Sequence, residues 1–197
     1  MRILGILGSP RIGNTEALFE AFADGAHAHG ASVESVRLKD VRFVPCKACE
    51  ACFKTGDCVV EDGFKQIAAA IDEVDALVIA TPIHFGGPSA LATAFFSRCQ
   101  QYYARKYVLK RSVRPKASGR GIGIVITTSA LDNPDFTECV KRIAGYVLNT
   151  LDFEPRALLW IPDMDAPDDA MHNPEALKKA FELGAKVAQR RWDELKW

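Results

Sequence analysis

Residues Arg2 to Leu18 read RILGILGSPRIGNTEAL, and this stretch decides the fold. Ile3, Leu4, Ile6 and Leu7 make a short apolar run, the mark of a buried strand. Gly8-Ser9-Pro10-Arg11-Ile12-Gly13-Asn14-Thr15 follows as a loop, and a helical apolar pattern starts at Leu18. A strand–loop–helix junction of this kind suits an anion. The first helical N–H groups lack partners, and the helix dipole is positive there. Ser9, Asn14 and Thr15 offer side-chain donors, and Arg11 a full positive charge. The residues also narrow the anion. Gly8 and Gly13 have the Gly-x4-Gly spacing of a triphosphate loop, but Asn14-Thr15 stands where that loop needs Lys followed by Ser or Thr. The glycines at 5, 8 and 13 do not make the dinucleotide Gly-x-Gly-x-x-Gly. No Asp ends the strand, as a phospho-acceptor receiver needs, and no Cys lies in the loop, as a small phosphatase needs. What remains is a lone phosphate monoester held by amides, hydroxyls and one Arg. An ordinary strand-to-helix turn would not need so costly a composition.

Composition bounds the rest. The 197 residues are enough for one substantial domain, read here as residues 1–197. Lys+Arg and Asp+Glu are both 25, so no net charge draws the chain to nucleic acid or an anionic membrane. No stretch is long and apolar enough to span a bilayer, and the N-terminus lacks the basic flank of a signal peptide. A cytoplasmic location is therefore expected. There the six cysteines are thiols or metal ligands rather than disulfides.

Taken in order, the pattern alternates strands and helices. Leu18, Phe19, Phe22, Ala23 and Ala26 keep helical spacing up to Gly30. Val33–Leu38 alternates like an outer strand, and a helix begins near Asp62. Ala76–Ala80 is a continuous apolar run, a strand covered on both faces. Pro82-Ile83-His84-Phe85-Gly86 follows within a loop fixed by two prolines and two glycines, residues 81–88, on the edge where open α/β sheets bind ligands. The next helix runs from Leu91 to Tyr102. Arg105–Arg120 holds seven basic residues and no acidic one. It reads as a solvated connection or as an attractor for a 2′-phosphate. A second buried strand, Gly121–Ile126, ends in Thr127-Thr128-Ser129, the third loop on the ligand edge. Pro134 opens a helix, Ala157–Ile161 is the last strand, and Asp163, Asp165, Asp168 and Asp169 read as a solvated loop. Asn173 caps a final helix whose buried stripe extends to Leu195. Cys99 and Cys139 fall on apolar helix faces, as core thiols do. These elements predict an α/β fold: a flavodoxin-like, doubly wound, five-stranded parallel sheet of order 2-1-3-4-5 with helices on both faces.

Gly8-Ser9-Pro10-Arg11 with Gly13-Asn14-Thr15 resembles the FMN-phosphate loop of the NADPH-dependent FMN reductase family. The resemblance covers nearly the whole chain. It implies FMN as cofactor, NAD(P)H as cosubstrate, and a homodimer or homotetramer. It also implies that the Pro82–Gly86 loop, with an aromatic near His84 or Phe85, lies against the flavin ring. Here His84 stands where Tyr is common, and Thr93 and Ser97-Arg98 stand where relatives carry Lys and Asp-Arg. The expected FMN ligands are Ser9, Arg11, Gly13, Asn14, Thr15, Pro82, Ile83, His84, Phe85, Gly86, Thr127, Thr128 and Ser129. FMN carries the chemistry, so no catalytic acid or base is nominated.

The cysteine spacing narrows the resemblance to the iron–sulfur flavoproteins. Residues 45–61 hold Cys46-x2-Cys49-x2-Cys52-x5-Cys58. Three thiols come from successive tight turns, and Gly56 lets the chain bend back to deliver the fourth. Ferredoxin loops use the same x2 spacing, but their fourth Cys serves another cluster. Here no other cysteine group exists, so Cys58 should complete a [4Fe–4S] site. Zinc remains a rival occupant, since four thiolates also suit a tetrahedral ion, and free thiols are the plain alternative. The expected activity is electron transfer from a reduced nicotinamide or a ferredoxin-type donor through FMN to an unidentified acceptor. An electron carrier without small-molecule turnover and a flavin or zinc redox sensor are the other classes.

Overall fold

The computed structural model describes residues 1–114 and 119–197. Strands β1 (Arg2–Leu7), β2 (Ser32–Arg37), β3 (Ala76–His84), β5 (Gly121–Thr128) and β6 (Phe153–Ile161) form one parallel sheet in the order β2-β1-β3-β5-β6. Counted along the parallel strands alone, this is the expected 2-1-3-4-5. A sixth strand, β4 (Gly87–Pro88), pairs antiparallel with the end of β3. The inner strand β5 is buried along its whole length, whereas β2 at the edge is not, in keeping with GIGIVITT against SVESVR. The other edge, β6, is met by the chain end, where Leu158 N–H donates to Lys196 O at 2.9 Å.

Helices cover both faces. Helix α1 (Asn14–His27) and α7 (Pro174–Ala188) pack on one side with Leu18, Phe22, Ala180 and Val187. On the other side lie α3 (Phe64–Ile71), α4 (Ala90–Arg98), α5 (Gln100–Tyr103) and α6 (Pro134–Thr150), joined by Phe64, Phe95, Val140 and Leu148. A short helix, α2 (Cys52–Thr55), sits in the cysteine loop. Helices α1 and α7 approach backbone to backbone. A Cβ on Gly25 would fall on Phe181 O, and one on Gly184 would fall on Phe22 O. Two glycines facing each other across the contact allow that approach.

Three expectations from the sequence change. The final helix ends at Ala188, not near Leu195; Arg190 turns left-handed at φ 59°, and Trp192 and Leu195 pack back on the core from a separate turn. Strand β3 continues through Pro82 to His84, and the supposed loop after it is a β-hairpin. Phe85 and Gly86, at φ 51° and 78°, form its two-residue turn, and two successive positive φ values give the twist such hairpins need. Cys139 is only partly buried, unlike Cys99, whose thiol burial pushes well above its ordinary value.

Candidate functional site

The carboxyl ends of β1, β3, β5 and β6 meet at one cavity of about 160 Å³. Ser9, Pro10, Arg11, Asn14 and Thr15 line it from the first loop, and Pro82, Ile83 and His84 from the second. Thr128, Ser129 and Ala130 line it from the third, and Met164 and Asp165 from the segment after β6. The floor of the first loop is fixed from outside. Gly8 N–H donates to Ala80 O at 2.7 Å, and Ser89 Oγ donates to Gly8 O at 2.5 Å. The helix that follows is uncapped: Gly13 sits at the N-cap with no side-chain acceptor, and the first bond of the helix is Ala17 N–H to Gly13 O at 2.9 Å. The amides of Asn14, Thr15 and Glu16 therefore face no carbonyl of their own helix, and a ligand anion can take them.

Several side chains read as anion donors are engaged within the protein. Ser9 Oγ donates to Arg11 O at 2.5 Å and accepts Arg11 N–H at 3.2 Å. Thr15 Oγ1 and Thr128 Oγ1 are 2.9 Å apart and share one hydrogen bond, which links the first loop to the third. Asn14 Nδ2 donates to Ala166 O at 2.6 Å, and its Oδ1 accepts Ala170 N–H at 2.9 Å. Arg11 Nη2 donates to Asp165 O at 3.0 Å. The aspartate-rich segment is thus no mere solvated loop: its backbone braces the first loop, Asp169 Oδ2 accepts Ala166 N–H at 2.7 Å, and Asp165 borders the cavity. A Cβ on Gly13 would lie 2.9 Å from Pro167 O, so glycine there lets the two segments touch. The other predicted positions lie off the cavity. Thr127 Oγ1 is buried and donates to Thr81 O at 2.7 Å. Phe85 and Gly86 form the hairpin turn, with the Phe85 ring fully exposed. Ala130, Met164 and Asp165 line the cavity without having been expected there, and Trp160 on β6 supports it by donating from its indole N–H to Ser129 Oγ at 2.8 Å, tying the third loop to the edge strand. An aromatic among alternating strand residues carries no signal of such a contact.

The four cysteines of the loop line a second cavity, of about 390 Å³, with Ser97, Arg98 and Gln101 on its far wall. Burial raises the pKa of the Cys52 thiol, its own backbone N–H lowers it, and the neighbouring Cys58, Cys46 and Cys49 raise it further. Ala48 and Glu50, between the first three cysteines, take left-handed φ values of 52° and 58°. For residues with a Cβ this costs about 1–2 kcal/mol each. Among the described residues, no group of three or more His, Cys, Asp or Glu is gathered tightly enough to hold a single ion. The thiols surround a space instead. One helical face supports them: Ser97 Oγ accepts Cys46 N–H at 3.0 Å, and Gln101 Oε1 accepts Cys58 N–H at 2.9 Å. Arg98 Nη1 donates to Val44 O at 2.8 Å, and Arg105 Nε donates to Gly56 O at 2.9 Å. Positions 97, 101 and 105 repeat at one helical spacing. In the sequence Arg98 and Gln101 are ordinary polar residues of a helix, and only the fold buries them.

The family model for NADPH-dependent FMN reductases matches residues 1–129, which takes in the first three cavity loops and all four loop cysteines. The chain belongs to that family. An iron–sulfur flavoprotein of Archaeoglobus fulgidus is 27% identical over 196 residues, covering 96% of this chain and 80% of the relative. One of Methanocaldococcus jannaschii is 26% identical over 202 residues, covering 96% of each. Among solved structures, an NAD(P)H:quinone oxidoreductase from Methanothermobacter marburgensis superposes with a TM-score of 0.73 at 18% identity, over 94% of each chain. The protein is an FMN-dependent oxidoreductase of the NADPH-dependent FMN reductase family, similar over nearly its whole length to proteins named iron–sulfur flavoproteins. No helix among the described residues is long and apolar enough to cross a membrane.

Family membership also recasts the basic run. Lys116 lies outside the described residues. Of the others, Arg105 pairs with Asp57 at 2.6 Å, and Arg111 Nη1 donates to Thr55 O at 3.2 Å. Arg114 Nη1 donates to Val74 O at 2.7 Å, and Arg120 reaches Asn149 Oδ1. Val74 and Asn149 precede β3 and β6, so Arg114 and Arg120 sit at the sheet end opposite the cavity. These arginines brace the fold, and the reading of the run as an attractor for NADPH loses its support.

Proposed function

We propose that the first cavity holds the FMN phosphate and the adjoining flavin edge, and that the cysteine pocket holds a [4Fe–4S] cluster, both within one domain of residues 1–197. The uncapped start of α1, opening into a cavity walled by all three predicted loops, carries this reading. The amides of Asn14–Glu16 and the Arg11 charge bind the phosphate, while Ser9 and Thr15 hold the loop in shape. His84, Thr128 and Ser129 border the space beyond and orient the ring system. Bound FMN supplies two-electron exchange with a reduced nicotinamide, and a cluster supplies one-electron transfer onward. For the second cavity, the donor set supports a cluster over zinc. A four-thiolate zinc tetrahedron with bonds of about 2.3 Å would bring the sulfurs within about 4 Å of one another. Here, among the described residues, no three of the thiols are gathered as closely as one ion needs, and all four border an open cavity. Reduced thiols suit a cytoplasmic protein, and assembly as a homodimer or homotetramer follows from the resemblance.

Two measurements test the assignment. Arg11→Ala should weaken FMN binding about ten- to a hundredfold, the loss of roughly 1.5–3 kcal/mol, and leave riboflavin binding nearly unchanged, whereas Thr15→Ala, which cuts the link to Thr128, should weaken both flavins. FMN affinity unaltered in both variants would refute the phosphate site. Protein reconstituted anaerobically should carry about four irons and four sulfides per chain, and each of Cys46→Ser, Cys49→Ser, Cys52→Ser and Cys58→Ser should reduce that content while FMN stays bound. Anaerobic mixing with NADH and NADPH should bleach the flavin. Flavin that stays oxidised with both but is reduced by a ferredoxin-type donor would reassign the donor.

A further inference from the structure

Arg98 is buried, with its side chain 1% exposed, on the wall of the cysteine pocket. Its guanidinium meets three different acceptors. Nη2 donates to Cys58 Sγ at 3.4 Å, Nη1 donates to Val44 O at 2.8 Å, and Asp62 takes both arms, at 2.6 Å and 3.1 Å. Phe64 stacks against it, with the guanidinium carbon 4.6 Å from the ring centre. Its Nε is buried with no partner among the described residues. Asp62 in turn accepts Val44 N–H at 3.0 Å and Phe64 N–H at 3.1 Å. The pair therefore grips the chain just before Cys46 and the sulfur of Cys58, the two ends of the cysteine loop. Only a planar fork with several donors can do this; the compact ammonium of Lys could not meet the same set.

A buried ion pair adds little stability over apolar residues of the same size, because desolvation offsets the attraction. Stability alone does not explain why a guanidinium stands against a cysteine sulfur in this pocket. We propose that Arg98 and Asp62 act as opposed electrostatic tuning residues for the cysteine centre, Arg98 raising its reduction potential through Cys58 and Asp62 restraining that rise. This deepens the cluster reading above and rests on it. Reduction adds one electron to a centre already surrounded by thiolates. A cation at hydrogen-bond distance from one of those sulfurs favours the reduced form, and hydrogen bonds to sulfur act in the same direction. The carboxylate that neutralises the cation works against it. Removing either partner must then move the potential, and the two removals must move it in opposite directions. General damage to the pocket has no reason to do that.

The test uses the full chain with FMN bound, reconstituted anaerobically with iron and sulfide, and reads the cluster midpoint in a spectroelectrochemical titration. Iron and sulfide are counted beside it, and the flavin midpoint serves as an internal control. Arg98→Gln should shift the cluster midpoint downward, Asp62→Asn should shift it upward, and Arg98→Lys should fall between wild type and Arg98→Gln. The flavin midpoint should stay near the wild-type value. If Arg98→Gln takes up no cluster, Asp62→Asn and Arg98→Lys decide the question by the same signs. Loaded variants that leave the midpoint unmoved, or that all shift it the same way, overturn the tuning role and leave the cluster assignment standing. Wild-type protein that takes up no iron and sulfide overturns the cluster assignment, and the tuning role with it.

Discussion

Asn14 looks, by sequence, like one more phosphate donor, but the structure makes it a strut. Its Nδ2 holds Ala166 O and its Oδ1 holds Ala170 N–H, and the side chain is nearly buried. Asn14→Ala removes both bonds and leaves the Ala170 amide, itself buried, without its acceptor. An unsatisfied buried group costs about 1–3 kcal/mol, and a lost neutral bond about 0.5–1.5 kcal/mol. The apoprotein should therefore lose about 2–4 kcal/mol in urea unfolding, with an unchanged dependence on urea concentration. The segment carrying Met164 and Asp165, which walls the cavity, loses its anchor in the same step. Fluorescence titration should then show FMN and riboflavin weakened by a similar factor, because the wall and not the phosphate contact has been disturbed. Asn14→Asp keeps the acceptor for Ala170 but sets a carboxylate against Ala166 O and beside the phosphate amides, so FMN should suffer more than riboflavin. The reasoning fails if Asn14→Ala leaves urea stability intact, or if it weakens FMN alone.

Three more expectations follow from the same geometry. Gly184→Ala places a methyl group on the backbone of α1 and should lower stability by about 3 kcal/mol or more, read as a fall in Tm; a change within the scatter of wild type would mean the helices can separate freely. Trp160→Phe removes the indole donor to Ser129 Oγ and, at about 0.5–1.5 kcal/mol, should weaken FMN roughly two- to tenfold without unfolding the sheet. Asp62 is held below the ordinary carboxylate range: burial pushes its pKa up, but the Arg98 fork and the Val44 and Phe64 amides outweigh it. A depressed folded pKa adds stability that is complete above the unfolded value of about 4 and is lost as pH falls through the folded value. Acid titration of the apoprotein should therefore show a steeper loss of stability in wild type than in Asp62→Asn, and equal slopes would contradict the pairing.

The sheet was readable because its strands are unusual in composition. ALVIA and GIGIVI are short, β-branched-rich apolar runs that read as strands buried on both faces, and strands of that kind, separated by helical periods, leave few topologies open. The phosphate loop was readable because its exclusions are local: a missing Lys or Cys is visible at one position. The hairpin at Phe85-Gly86 was less so, since the residues suggested a turn but the pairing of His84 with Gly87 is a contact between backbones. The end of α7 was misplaced because Trp192 and Leu195 keep helical spacing and are partly buried, yet they reach the core from a chain that has already reversed at Arg190.

By itself the sequence determined the element order, the place of the anion site after the first strand, the cysteine spacing and, through its motifs, the family. These are properties of short stretches, where spacing and propensity act directly. Only the tertiary structure decided which donors are free. Asn14, Thr15 and Ser9 look alike as polar residues in a loop, but partners more than a hundred residues away engage the first two. The same holds for Arg98, an ordinary cation on a helix by sequence and a buried fork against Cys58 once the chain folds. A polar side chain's chemistry depends on what desolvates it and what bonds it, and both are set by residues distant in sequence.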